Sequence, residues 1–396
     1  MKISELGSFG NGKAKPLKKG DIPVYGGNGI MDYTNESNYK SDTIVIGRVG
    51  ANCGSVTLSS ERCWVSDNAI AFTVKLDYDV NYIYNYMKLL NLNNYHIGSS
   101  QPLLTQGIIG DIDIEIADRL TQSRVARTLV NIDKKLALNN KMSCELEILA
   151  KTIYDYWFVQ YDFPNKEGKP YKTTGGKMVW VEELSREIPE GWQVGILGNF
   201  FDSNRGLSYN SSSIEGDGVP MINLASFNVD GSYKHDGLKT YSGVYSDEKV
   251  LKPFDLVMCN TQQTAIDYKK DIIGKAFLVP DIFDGDIVSS HHVTTININN
   301  EDLKFYLYRL FNTDYFHKYA AGYCSGTNIL GLVFSGIENY NTEIPEPNVL
   351  KKYAKIMLDI EKKKSVIIKE NQELASLRDW LLPMLMNGQV TFKESR

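Results

Sequence analysis

Several short stretches of this sequence carry residue types that can do chemistry. Gly7-Ser8-Phe9-Gly10-Asn11-Gly12-Lys13-Ala14 comes within one residue of a phosphate-binding glycine loop, but Ala14 stands where the Mg²⁺-binding hydroxyl belongs. No buried strand is expected before it, and Pro16 bars a helix from starting cleanly after Lys13, so the segment reads as a loop. His291-His292 is the one adjacent histidine pair. In a strand the two rings point to opposite faces, which argues against a shared metal ion. With Ser289, Ser290 and Thr294 nearby, they are either polar readers on a binding face or ordinary strand and loop residues. Arg48-Val49-Gly50-Ala51-Asn52-Cys53-Gly54 presents Arg48 and Asn52 in a glycine-rich turn after a β-branched run. Arginine reads guanine and asparagine reads adenine by paired hydrogen bonds, while a plain connection between strands uses the same glycines. The corresponding place in the second half is amide-rich: Thr261-Gln262-Gln263-Thr264 after Phe254–Asn260. Lys13, Lys15, Lys18 and Lys19 form a basic run with no acid before Asp21, a solvated loop or a set of phosphate contacts that position without specifying.

No catalytic constellation joins these. There is no Asn/Asp-Pro-Pro-Tyr/Phe methyltransferase segment, no GxSxG nucleophile elbow and no HExxH, and Pro280-Asp281 lacks the downstream acid and lysine of a nuclease centre. The five cysteines, Cys53, Cys63, Cys144, Cys259 and Cys324, are odd in number and show no CxxC spacing. Free thiols in a reducing cytoplasm are therefore expected, rather than zinc or disulfides. No 18-residue apolar run and no leader-like apolar region occurs, so no membrane partner is expected. The net charge of −5 counts against a simple nucleic-acid binder: residues 1–116 hold ten Lys/Arg against twelve Asp/Glu, and residues 191–345 hold eleven against eighteen.

The elements that position these residues come in two copies. With Ile116 aligned on Ile344, an offset of 228 residues holds without a gap for about 40 residues. Val130-Asn131-Ile132-Asp133 falls on Leu358-Asp359-Ile360-Glu361, and Leu149 on Leu377. Each copy follows a β-rich stretch opened by a matching tag, Leu6-Gly7-Ser8-Phe9 or Leu197-Gly198-Asn199-Phe200. In the first stretch Thr43–Ile46 and Ala69–Val74 read as strands, Tyr82–Leu90 as a short helix and Ile112–Ile116 as a closing strand. The period then turns helical: Leu129, Ile132, Leu136, Met142, Leu146, Leu149, Ile153 and Trp157 form a seam with a break at Asn139-Asn140. Its copy runs through Tyr353, Met357, Ile360, Ile367, Leu374, Leu377, Leu381 and Leu385, carries Lys364 and Asn371 at seam positions, and is expected to end near Pro383. A lone amphipathic helix of this kind, roughly 55–60 Å long, needs a partner for its stripe, and each repeat helix is the obvious partner of the other.

The expected fold is therefore α+β: two mixed α/β domains separated by a long antiparallel two-helix coiled coil, with a pseudo-two-fold internal repeat. Residues 1–116 form the first domain, 117–160 the first helix, 161–190 a polar, turn-rich connector, 191–345 the second domain and 346–390 the second helix. Outside the anchors the two domains differ greatly in sequence, which suggests a shared scaffold with different surfaces.

The stretch Ile153-Tyr154-Asp155-Tyr156-Trp157-Phe158-Val159-Gln160-Tyr161-Asp162-Phe163-Pro164 points further. It continues through Gly168-Lys169-Pro170-Tyr171-Lys172, Gly175-Gly176-Lys177-Met178, Glu183-Leu184 and Ile188-Pro189-Glu190-Gly191-Trp192. In these residues, and in its domain–helix–domain–helix order, the chain resembles the specificity subunits of type I restriction–modification enzymes over its whole length. The resemblance implies that each domain is a target recognition domain reading one half of a bipartite double-stranded DNA site. The helices would space the domains and dock two methyltransferase subunits, which methylate adenine with S-adenosylmethionine. Restriction subunits would use ATP and Mg²⁺ and cut unmethylated DNA. The chain itself would be a non-catalytic reader with no cofactor of its own. Under this resemblance the DNA-contacting candidates are Lys13, Lys15, Arg48, Asn52, Ser99, Ser100 and Gln101 in the first domain. In the second they are Asn204, Arg205, Thr261, Gln262, Gln263, His291, His292 and Asn328. Two rival readings stand beside it. A fused or stand-alone nuclease or methylase predicts activity of the chain alone, and a purely structural coiled-coil adaptor predicts no sequence-selective DNA binding.

Overall fold

The computed structural model describes residues 1–98, 102–214, 216–262, 270–327 and 329–392, with Gln262 described by its backbone. The chain divides into two compact units, Met1–Leu138 with Asn371–Arg396, and Asn139–Glu370. Its two longest helices each begin in one unit and end in the other.

In the first unit α1 (Ile3–Leu6) leads into β1 (Gly7–Asn11), β2 (Ile22–Gly26), β3 (Gly29–Thr34), β4 (Thr43–Gly47), β5 (Val56–Ser59), β6 (Trp64–Val65) and β7 (Ala69–Val74). One sheet has the order β1-β7-β4-β5, the other β3-β2-β6. The β-branched run Thr43-Ile44-Val45-Ile46 makes β4 a central strand buried on both faces. Ile44 and Ile46 enter the main core with Ile70, Phe72 and Tyr82, while Val45 enters a smaller core with Tyr25, Cys63 and Val65 on the opposite face. Gly7–Asn11 is thus a strand in antiparallel register with Ala69–Val74, and it leaves no nucleotide-binding loop. Asp79 caps α2 (Val80–Leu89) by accepting from the N–H groups of Asn81 and Tyr82. A short α3 (Gln106–Gly110) precedes the long α4 (Arg119–Tyr154).

The second unit holds the wide turn Asp155–Val159, β8 (Met178–Val181), β9 (Arg186–Pro189), β10 (Gln193–Ile196), β11 (Phe201–Arg205), β12 (Val219–Ile222) and β13 (Lys239–Tyr241). It continues with β14 (Leu256–Cys259), β15 (Thr261–Gln262), β16 (Ala276–Leu278), β17 (Val288–Ser289), β18 (Val293–Ile298), α5 (Glu301–Phe311) and α6 (Asp314–Ala321). Then come β19 (Cys324–Ser325), β20 (Leu330–Leu332), α7 (Phe334–Glu338), β21 (Asn341–Ile344) and α8 (Pro347–Met386). Its sheets β11-β18-β14-β16 and β13-β12-β17 repeat the two strand orders of the first unit. The 228-residue offset also relates α3 to α7 and links buried positions. Val125, Ala126 and Leu129 are buried in one core where Tyr353, Ala354 and Met357 are buried in the other, and Leu385 and Met386 answer Trp157 and Phe158.

Three further sequence expectations change, and the seam break finds its partner. Ile112–Ile116 forms no strand; Lys2 makes an isolated bridge to Asp113, whereas its counterpart β21 pairs fully with β10. The break in the apolar seam at Asn139 falls inside the continuous α4, where the buried Asn139 amide donates to the Glu370 carboxylate at 2.8 Å. The second helix runs through Pro383 to Met386; one proline removes one N–H donor, and so near the helix end the loss is tolerated. Finally, 161–190 is more than a polar connector. Phe163 stacks on Tyr171 and on Trp192, and Phe163, Ile188 and Trp192 belong to the main core of the second unit. The apolar residues are few there but large, so turn-rich composition hid them.

The helix segments are fastened differently in the two units. In the second unit Arg309 of α5 bonds Glu147 of α4 and lies 3.3 Å from Glu361 of α8, while Lys364 reaches Glu147 at 2.8 Å and Glu361 at 3.1 Å. Burial disfavours the Glu147 charge, yet the Arg309 and Lys364 cations outweigh it and hold its carboxyl down at about 2. In the first unit Arg378 meets Asp133 at 3.3 Å with both side chains partly open to water.

Candidate nucleic-acid interface

Both units build the same frame around a two-residue turn leading into the sheet strand β7 or β18. Ser66 donates its N–H to Tyr25 of β2 at 2.9 Å and accepts from Ala69 at 3.0 Å; Ser290 repeats this with Ile222 of β12 at 2.8 Å and Val293 at 2.9 Å. The residue after the central strand closes the turn: Arg48 N–H to the Asn68 carbonyl at 3.1 Å, Asn260 N–H to the His292 carbonyl at 3.0 Å. Lys13 N–H bonds the Val65 carbonyl at 3.0 Å, as Leu207 N–H bonds Ser289 at 2.7 Å. Gly12 and Gly206 precede these donors because a Cβ there would lie 1.7 Å and 2.2 Å from the serine carbonyl oxygens. The turn tips are Asp67-Asn68 in one unit and His291-His292 in the other.

A second loop stands beside each turn. In the first unit Val49 bridges to Leu103, and Leu103 exchanges backbone bonds with Ile97 at 2.9 and 3.0 Å. In the second, Thr261 pairs with Gly331 and Gly331 with Ser325. Leu103 and Gly331, like Ile97 and Ser325, are 228 residues apart. The stems of the 97–103 loop thus lie against the turn that carries Arg48 and Asn52. The candidates Ser99, Ser100 and Gln101 lie outside the described residues, as do Gln263 and Asn328.

The remaining candidates divide by what their side chains already do. Lys13 and Asn52 are exposed, and Arg48 is half-buried with its Nε unbonded. Lys15 is ion-paired with Asp32 of β3 and is not a free phosphate ligand. Asn204 is engaged at both ends, accepting from Lys249 Nζ at 2.6 Å and donating to the Glu248 carbonyl at 3.2 Å. Arg205 is exposed, and its Nε donates to the His291 carbonyl at 2.7 Å. Thr261 is buried, donating to Asn260 at 2.8 Å while its hydroxyl lies 3.2 Å from His292 Nδ1, so it supports the turn rather than facing outward. The two histidines do not point to opposite strand faces: they occupy a turn, and their ring centroids are 3.9 Å apart. Burial, then the neighbouring His291, Arg205 and Lys239, hold the His292 imidazole below its ordinary 6.5.

Asp67, Asn68, Asn260, Lys239 and Lys249, not among the residues nominated from sequence, also stand at these turns. Asn260 donates to the His291 carbonyl at 3.2 Å and to Thr294 Oγ1 at 2.7 Å, tying the turn to the sheet. Lys239 sits 5.9 Å from the Tyr209 ring centre, and Tyr209 lies 5.5 Å from His291. Arg205, Lys239, Lys249 and the histidines therefore gather basic groups on a unit that is acidic in sum. The available signal was Ser66-Asp67-Asn68-Ala69-Ile70 against Ser290-His291-His292-Val293-Thr294, each a serine separated by two residues from a strand. Ser203, Arg205, Asn260, Thr294, Ser325 and Gly331 line a polar cleft of about 360 Å³ beside the turn.

Among the described residues no group of three or more His, Cys, Asp or Glu is placed to hold a metal ion. Two like-folded units thus frame unlike polar turns. The family model for the type I restriction modification DNA specificity domain matches residues 1–147. The MjaIX specificity subunit of Methanocaldococcus jannaschii is 24% identical over 325 residues, covering 79% of this chain and 69% of that protein. The HindI specificity subunit of Haemophilus influenzae is 22% identical over 346 residues, covering 73% and 71%. The crystal structure of the type I S subunit from M. genitalium shares the fold with a TM-score of 0.66 at 14% identity, covering 99% of this chain and 96% of that one. Over most of its length the chain is thus similar to type I restriction–modification specificity subunits, and its first 147 residues match their DNA specificity domain.

Proposed function

We propose that this chain is the DNA sequence-recognition subunit of a type I restriction–modification complex. Each unit reads one half of an asymmetric bipartite target, and the paired helices dock two adenine-methyltransferase subunits. S-adenosylmethionine, ATP and Mg²⁺ belong to the methyltransferase and restriction partners, and the complex works in the cytoplasm. Among the described residues no helix is long and apolar enough to cross a membrane.

The observation that carries this reading is the repetition of two strand orders and one hydrogen-bonded frame around different side chains. A scaffold doing the same thing twice has no need of unlike tips; two half-sites of different sequence do. The acidic sum of each unit fits a reader whose partners supply most phosphate contacts. Exchanging one unit's β-rich segment for that of a different specificity subunit tests the reading. The expected outcome is a methylation motif changed in one half and retained in the other.

A further inference from the structure

The functional reading does not say which side chains face the bases. The hydrogen-bonded frame limits the choice: four backbone hydrogen bonds recur around each turn, and within them two tip residues change chemistry outright, from Asp67-Asn68 to His291-His292. A second observation points these turns toward a ligand. Buried polar groups are normally paired, yet Arg48 Nε and Ser66 Oγ at one turn, and Ser290 Oγ and His291 Nδ1 at the other, have no hydrogen-bond partner. Equivalent serines are unpaired in both units, so the feature belongs to the frame and not to one surface.

We propose that this two-residue turn is the principal base-reading element of each unit. Asp67 and Asn68, with Arg48 beside them, face one half-site; His291 and His292, with Arg205, face the other. The proposal rests on the DNA-recognition reading above and adds which residues carry it. Its chemistry is directional. Asn68 matches the paired donor and acceptor of adenine, and the Asp67 carboxylate accepts from the amino groups of cytosine or adenine. That turn therefore selects a base carrying an amino group in the major groove. The Arg205 guanidinium and imidazole N–H groups are donors, suited to the N7 and O6 acceptors of guanine.

The test uses the full chain assembled with its methyltransferase partners, and maps methylated adenines across a genome. The reciprocal exchanges D67H/N68H and H291D/H292N are each expected to change one or two positions of one half-site, leaving the other half and the spacer intact. Single variants Asn68→Ala and His291→Ala, which only shorten a side chain, keep the test independent of any folding defect in the exchanges. Each is expected to lower discrimination at one position about 10-fold. Full discrimination in both single variants, or a wild-type motif in both exchanges, overturns the proposal. Absence of any bipartite motif with the unaltered chain overturns the underlying functional reading instead.

Discussion

The helix segments of the second unit meet around Arg309, Glu147, Glu361 and Lys364, a cluster in which Arg309 and Glu361 are buried; those of the first unit carry the half-exposed Arg378–Asp133 pair. Both units bury the same seam positions, 228 residues apart, and both repeat the same strand orders. What diverged is therefore the charge chemistry, both where helices join and where the turn tips face out. Backbone register and apolar burial fix the shared architecture, while polar groups carry what is particular to each copy.

The sharpest way to break this comparison is to remove its buried charge. Arg309→Ala leaves the two carboxylates Glu361 and Glu147 sharing the single cation Lys364, and is expected to cost ~3–5 kcal/mol of unfolding free energy in urea titrations. A loss below about 1 kcal/mol would mean that the cluster does not fasten the second unit. Acid should expose the same asymmetry. The Glu147 carboxyl titrates at about 2 in the folded chain against an ordinary 4.5, so its contribution is complete above pH 4.5 and is lost as pH falls toward 2. Allowing for the third of the side chain that water reaches, this amounts to ~2 kcal/mol, and Glu147→Gln should flatten that part of the acid-unfolding curve. At the reading surface, Arg48→Ala is expected to cost ~1–3 kcal/mol of discrimination at one base position of one half-site, measured by competition binding of the assembled complex. An unchanged motif and affinity would remove Arg48 from the interface. Arg378→Ala should be the mildest, below about 1 kcal/mol in the same urea titrations, because its ion pair is open to water. A cost equal to that of Arg309→Ala would erase the contrast between the units.

Much of the scaffold was legible in the sequence, because apolar period and repeat offset survive divergence. Thr43–Ile46 and Ala69–Val74 became β4 and β7, and the 228-residue offset placed equivalent seam residues in both cores. Legibility failed where a few polar groups decide the outcome. Asn139 read as a break in the apolar seam and is buried against Glu370, and Lys364 read as a seam position and is part of the charge cluster. At the candidate interface, Arg48, Arg205 and the histidine pair were nominated from residue type and position, and the structure gathers Arg205 with the histidines around one turn. Asp67 and Asn68 escaped because their equivalence to His291 and His292 lies in backbone hydrogen bonds and not in shared residues. Asn204 and Thr261 were nominated as polar loop residues, but Glu248, Lys249 and His292, all distant in sequence, already engage them.

The central claim is that two like-framed units read two unlike half-sites. Mapping methylated adenines genome-wide in a strain holding the partner methyltransferase subunits, with and without this chain, tests it most directly. The account predicts a bipartite motif with two different halves that appears only when the chain is present. A motif independent of the chain, or one with identical halves, would contradict it.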